Sequence, residues 1–225
     1  MSRLALRMCL IAIAALALCA CMRHTARVVA PAETSPAASS AAGAVRRFEW
    51  CWQNRDAYRY SGLLADDFVL VPAVGDSSAN APPHPWDRAA EMATIQHMFV
   101  GDHDHAAAAK IELAFDKTLI ELEEPIAAWQ NRWHRFVRTT VDLRVTVESP
   151  DGTTALQQIT GFAAFHLVRG DSAQVPPAQY ALGVRPDSTR WWIERCEDET
   201  LVSGGGLHAL PTHHESWYHI RRLYF

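Results

Sequence analysis

The chain has 225 residues, 49% of them hydrophobic, and a formal net charge of −4 at pH 7, which is material for one globular domain with appendages and a full core. Its basic residues are scattered and almost all arginine, with Lys110 and Lys117 the only lysines. No clustered basic face awaits a polyanion, and nucleic-acid binding is excluded from the expectation.

Arg3 and Arg7 precede an uncharged run from Met8 to Leu18, the basic region and apolar centre of a secretory signal. The run is too short for a membrane span, which needs ~20 apolar residues to cross ~30 Å of hydrocarbon. Leu18-Cys19-Ala20-Cys21 resembles the bacterial lipobox, with an aliphatic residue at −3 and a small one at −1 before the cysteine that receives diacylglycerol. Cys21 fits that role, whereas Cys19 would put bulky Leu18 at −1. The resemblance implies a signal peptide over residues 1–20, a diacylglyceryl and N-acyl (palmitate) anchor on Cys21, and the membrane as a partner through that anchor. An ordinary secretory signal cleaved after Ala20 stays open as the alternative. Met22 after the cysteine, in place of an aspartate, leans towards the outer membrane over the inner and a domain facing the periplasm. Cleavage removes two arginines and no acid, so the net charge moves from −4 to −6 over 205 residues.

After Cys21, the stretch to Ala44 is Ala, Ser, Thr and Pro with almost no large apolar residue. It cannot offset its ordering entropy by burial and reads as a tether over residues 21–44, with a reach of roughly 25 Å. The domain is expected over residues 45–200. Val45, Phe48 and Trp52 recur at helical spacing, Asn54-Arg55-Asp56 breaks the pattern, and Asp56 is placed to cap a second short helix. Asp66-Asp67 lead into a strand from Phe68 to Val71. A third helix runs from about Asp87 to Gly101, with Met92, Ile95 and Phe99 as its buried stripe.

Lys110 onward reads as strand, and Val141, Leu143, Val145 and Val147 alternate with Asp142, Arg144, Thr146 and Glu148, the pattern of a sheet with one wet side. Ser149 to Gly152 turn the chain into a second long strand from Thr154 to Val168, and Arg190 to Glu199 supply the closing strand. Side chains alternate along a strand, so Trp191 and Trp192 are expected on opposite faces, one of them exposed. Residues 201–225 read as a glycine hinge followed by a docking helix, with Ser216 as cap and Trp217, Ile220, Leu223 and Tyr224 as its stripe.

The helix pair, short strand, third helix and long meandering strands, opened by "FEWCWQNRDAYRYSGLLADDFVL", resemble the nuclear-transport-factor-2-like family, which includes ketosteroid isomerases and polyketide cyclases. The resemblance implies an α+β cone, a curved antiparallel sheet wrapped around three N-terminal helices, with a pocket at its open end. Phe48, Trp52, Phe99, His166 and Trp192 would line that pocket. The isomerase machinery does not carry over: the first strand ends in Leu70-Val71-Pro72 with no acid, and the first helix has Phe48, Trp50 and Trp52 but no tyrosine. One fold hosts many chemistries, and the expectation is a non-catalytic envelope domain binding a small apolar ligand or a protein partner. A pocket enzyme of isomerase, cyclase or dehydratase type, using His97 or His166 as acid or base, is the first alternative. An envelope assembly factor is the second. Convex sheet faces in the family often pair, which implies a homodimer through the sheet.

No metal and no cofactor are expected. His103 and His105 lie two apart in an apparent loop without a helical His pair or Cys pair to fix ligand geometry. No phosphate loop, dinucleotide signature or nucleophile elbow is present. After lipidation Cys51 and Cys196 remain, and an oxidising exterior permits a disulfide between them.

Overall fold

The computed structural model describes residues 34–73, 86–103, 106–130, 132–148, 152–170, 187–200 and 216–225. Helix α1 (Ala41–Asn54) starts inside the stretch read as tether, because the Ser40 hydroxyl accepts from Gly43 N and caps it. Ala41 and Ala44 are fully buried, so the small residues that looked like linker composition pack in the core. The helix ends at Arg55, the left-handed residue (φ 53°) whose N–H reaches the carbonyls of Cys51 and Trp52. Asp56 then caps α2 (Ala57–Ser61) through Arg59 N.

Strand β1 (Leu64–Val71) and the short β2 (Trp86–Asp87) lead into α3 (Arg88–Val100), capped by Asp87 and stopped by Gly101 at φ 78°. Three further strands follow β3 (Lys110–Ala114): β4 (His134–Glu148), β5 (Thr154–Arg169) and β6 (Trp191–Thr200). A 3-10 turn (Ala127–Trp129) separates β3 from β4, and α4 (Trp217–Arg222) closes the chain.

The six strands form one sheet in the order β2-β1-β6-β5-β4-β3. It is antiparallel except for β1 against β6, which pair in parallel. The largely antiparallel sheet thus carries one parallel pair, because β1 comes early in the chain and is paired by β6, the last of these strands. The architecture is otherwise the expected α+β cone, with α1, α3 and α4 packed on one face of the sheet. Val137, Val141, Leu143 and Val145 of β4 face those helices, as do Ala163, Phe165 and Leu167 of β5. Register shifts at His166/Leu167 opposite β6 and at Leu64/Val69 opposite β6 mark irregularities of the kind that bend and twist a sheet.

Trp191 and Trp192 do point opposite ways, but both are buried, at 6% and 5% exposure. Trp191 joins the core. Trp192 lies beneath the guanidinium of Arg190, 5.3 Å from its ring, so no aromatic is left bare there. Cys51 and Cys196 are both buried and free, so the bridge that an oxidising exterior would permit is not formed here. Each thiol sits in apolar packing, and burial pushes the Cys51 thiol up to about 12 and that of Cys196 higher still.

Candidate functional site

The interior of the cone is built by Phe48 and Trp52 from α1, Tyr60 from α2, Phe99 from α3, Phe165 from β5 and Trp217 from α4. Their rings meet at 5.2 to 6.0 Å: Phe48 touches Trp52, Tyr60, Phe165 and Trp217, and Trp52 touches Phe99 and Trp217. Phe48, Trp52 and Phe99 therefore converge, but the volume between them is taken by the chain's own C-terminal helix.

Among these rings lies a polar cluster that the sequence reading missed. Glu91, in the first turn of α3, is fully buried. Its carboxylate accepts from Tyr60 Oη at 2.5 Å, Trp86 Nε1 at 2.8 Å and Arg221 Nε at 2.8 and 3.0 Å. Arg221 is also fully buried, with its guanidinium carbon 5.2 Å from the Trp52 ring and 4.7 Å from that of Trp217, within cation–π range. Burial works against the charge on Arg221, but the adjoining Glu91 carboxylate, with Tyr60 and Cys196 beside it, holds the arginine pKa above its ordinary value. Burial, reinforced by the same carboxylate, raises Tyr60 well above the usual tyrosine range, so it remains a hydroxyl donor. Among the described residues, Arg221 Nη1 and Nη2, Trp52 Nε1 and Trp217 Nε1 are buried and meet no hydrogen-bond acceptor.

The helix that supplies Arg221 is fastened at both ends. Tyr218 N donates to Asp198 Oδ2 at 2.9 Å, Trp217 N to Thr200 Oγ1 at 3.3 Å, and Ser216 Oγ accepts from His219 N at 2.9 Å. Asp198 is buried at the end of β6, where burial raises its pKa despite the hydrogen bonds from Thr200 and Tyr218. At the far end, the Tyr224 carbonyl lies 2.8 Å from His97 Nδ1.

That contact accounts for His97. Its other nitrogen is 3.0 Å from Asp102, so it ties the chain end to α3 and is not directed into the cone, contrary to its candidacy as a pocket acid or base. His166 is buried, but on the other face of the sheet from the pocket it was expected to line, since its neighbours Phe165 and Leu167 take the core face. Its Nδ1 is 2.8 and 3.0 Å from the two oxygens of buried Glu124, which also accepts from Ile126 N. Its Nε2 lies 3.5 Å from Glu197 Oε1. Trp129 and Phe136 cover the ring at 5.9 and 5.1 Å. Glu124 also borders a surface cavity of about 330 Å³ with Glu123, Gln130, Arg132 and Arg135. Neither His166 nor Trp192 belongs to the cone pocket: both occupy strand positions whose parity sends them outward.

Cys21 lies outside the described residues, as do His105 and the residues of the glycine hinge at 201–215. Among the described residues no group of three or more His, Cys, Asp and Glu side chains is arranged around a metal position. No helix among them is long and apolar enough to cross a membrane.

No family model matches the chain, and no curated protein does either. Solved structures with a similar fold include a conserved protein from Planctomyces limnophilus, at 16% identity and a TM-score of 0.46 over 72% of this chain and 93% of that one. An NTF2-like protein of unknown function in nutrient uptake from Rhodospirillum rubrum is similar at 11% identity and a TM-score of 0.41, covering 70% of this chain and 95% of that chain. A ketosteroid isomerase-like protein from Erwinia carotovora atroseptica is similar at 12% identity and a TM-score of 0.39, covering 69% and 89%.

Proposed function

We propose that this is a lipid-anchored protein of the bacterial envelope, held through Cys21 at the outer membrane, whose cone domain binds a small, largely apolar ligand and performs no chemistry on it. The observation that carries the binding role is the aromatic interior: Phe48, Trp52, Phe99 and Trp217 form one ring cluster, and one of its members, Trp217, belongs to the short C-terminal helix rather than to the sheet or α1. An aromatic lining of this kind favours apolar bodies wherever the C-terminal helix yields its place. The anchor rests on the Leu18-Cys19-Ala20-Cys21 motif.

An acid–base role has less support, because His97 binds the chain end and His166 with Glu124 sits across the sheet from the aromatic interior. A homodimer through the sheet would have to cover the Arg138–Glu199 and Arg195–Glu197 ion pairs on the outward positions of β4 and β6. That desolvation offsets much of the gain.

Two measurements test the proposal. Cys21→Ser should abolish fatty-acid labelling and release the protein from membranes; a variant that stays labelled removes the anchor. The neutral apolar dye N-phenyl-1-naphthylamine should bind the full chain saturably at one site, more tightly after Trp217→Ala. Absence of saturable binding to both forms removes a neutral apolar body as the ligand of the cone.

A further inference from the structure

The chemistry of the cone interior narrows the ligand class, on the premise that the cone is the binding site. Glu91 is a fully buried carboxylate whose contacts with Tyr60 and Trp86 are to neutral donors. Such donors satisfy lone pairs but do not cancel a charge, and a buried charge without a counter-ion is costly. The counter-ion is Arg221, which arrives only with the C-terminal segment. That segment fits the site's charge and volume but not its own hydrogen bonds. Among the described residues, Arg221 Nη1 and Nη2 and Trp217 Nε1 are buried without acceptors, as is Trp52 Nε1 on the domain side. Each such group carries its desolvation penalty uncompensated. Residues 216–225 are an incompletely matched occupant of a site whose fixed parts are a carboxylate, a tyrosine hydroxyl, an indole N–H and an aromatic face.

We infer that the cone is a site for an organic cation with an aromatic or aliphatic body, an amine, amidine or guanidine, and that the C-terminal segment is its tethered competitor. The cationic head replaces the Arg221 guanidinium beside Glu91 and against Trp52. The body takes the place of the Trp217 indole against Phe48. A neutral ligand of the same shape displaces the segment only by stranding Glu91, and an anion meets that charge directly. The apparent affinity is set by how often the segment vacates the site, so weakening the segment tightens the ligand.

The test is calorimetric titration of the full chain with benzamidine, and with benzamide as its neutral isostere, in the wild-type and Arg221→Ala forms. Benzamidine should bind Arg221→Ala one to one and at least about tenfold more tightly than wild type, and benzamide at least about tenfold more weakly than benzamidine. Adding Glu91→Gln should erase the preference for the cation. Equal binding of the two isosteres, or no gain on removing Arg221, overturns the inference. If Arg221→Ala does not fold alone, a cooperative melt restored by benzamidine and not by benzamide supports the inference; restoration by both or by neither overturns it. Saturable N-phenyl-1-naphthylamine binding with no benzamidine binding rejects the cation class and leaves the cone-binding function standing, whereas failure of both probes removes both.

Discussion

Arg221 Nε donates to both carboxylate oxygens of Glu91, at 2.8 and 3.0 Å, across a sequence separation of 130 residues and with both side chains fully buried. A buried pair of this kind adds little net stability against an apolar replacement, but removing one partner strands the other. Glu91→Gln and Arg221→Met should therefore each cost about 3–5 kcal/mol. The double variant should cost less than the sum by up to about 3 kcal/mol, because these residues share one network. Urea midpoints at constant slope measure this. Additive losses would mean that the two side chains are not coupled.

The C-terminal helix makes a sharper local prediction, because one of its expected stripe residues is not in the stripe. Trp217, Ile220 and Tyr224 are buried, while Leu223 is 43% exposed. Trp217→Ala should cost about 3–5 kcal/mol, as for a large aromatic removed from a core. Leu223→Ala should change stability by no more than about 0.5 kcal/mol. Comparable losses at the two positions would contradict the packing of α4.

What could be read from the sequence was what depends on neighbours along the chain. Asp56, Asp87 and Ser216 cap the helices they precede, because a cap needs only the next three residues. The clean alternation from Val141 to Glu148 became β4 for the same reason. Ser40 was passed over since alanines beside it resemble linker composition, and only tertiary burial distinguishes the two. The parallel pairing of β1 with β6 and the Glu124–His166 contact join residues far apart, where no local period carries a signal. Glu91 and Arg221 are different, because a signal was present. Glu91 with Ile95, Met98 and Phe99, and Arg221 with Trp217, Ile220 and Tyr224, stand at helical core spacing. Opposite charges on the apolar stripes of two helices announce a buried pair to a reader who does not assign every charge to solvent.

Two carboxylates should pull the pH dependence in opposite directions. Hydrogen bonds from the Thr140 hydroxyl and N–H hold Asp116 below its ordinary 3.8, so the unfolded chain binds its proton first as the pH falls. The stability that Asp116 contributes is present above 3.8 and lost on acidification through its lower folded value. Asp198 is the reverse: burial raises it above 3.8, so the native state keeps a proton the unfolded chain has released, and stability falls as the pH rises through that window. Asp116→Asn should flatten the acid limb of a melting-temperature profile, and Asp198→Asn the decline above it. Profiles unchanged in both variants would remove these two groups from the account.

On the sheet's outer face, Glu124 is the fastening of the segment between β3 and β4. It accepts from Ile126 N at 2.9 Å within that segment and lies 2.8 Å from His166 Nδ1 on β5, while Leu122 exchanges backbone hydrogen bonds of 2.8 and 3.0 Å with Phe136. Removing the carboxylate leaves Nδ1 of buried His166 without the acceptor it faces, at a cost of about 1–3 kcal/mol. Glu124→Ala should thus destabilise the domain by that order. Glu124→Leu with His166→Phe removes donor and acceptor together and should cost less than Glu124→Ala alone. The local consequence separates a fastening from a general core effect: amide exchange at Ile126 should accelerate in Glu124→Ala under conditions where exchange at Val141, inside β4, stays slow. Acceleration at both positions by the same factor would show that Glu124 serves global stability only, and that the segment over His166 is held by its backbone contacts.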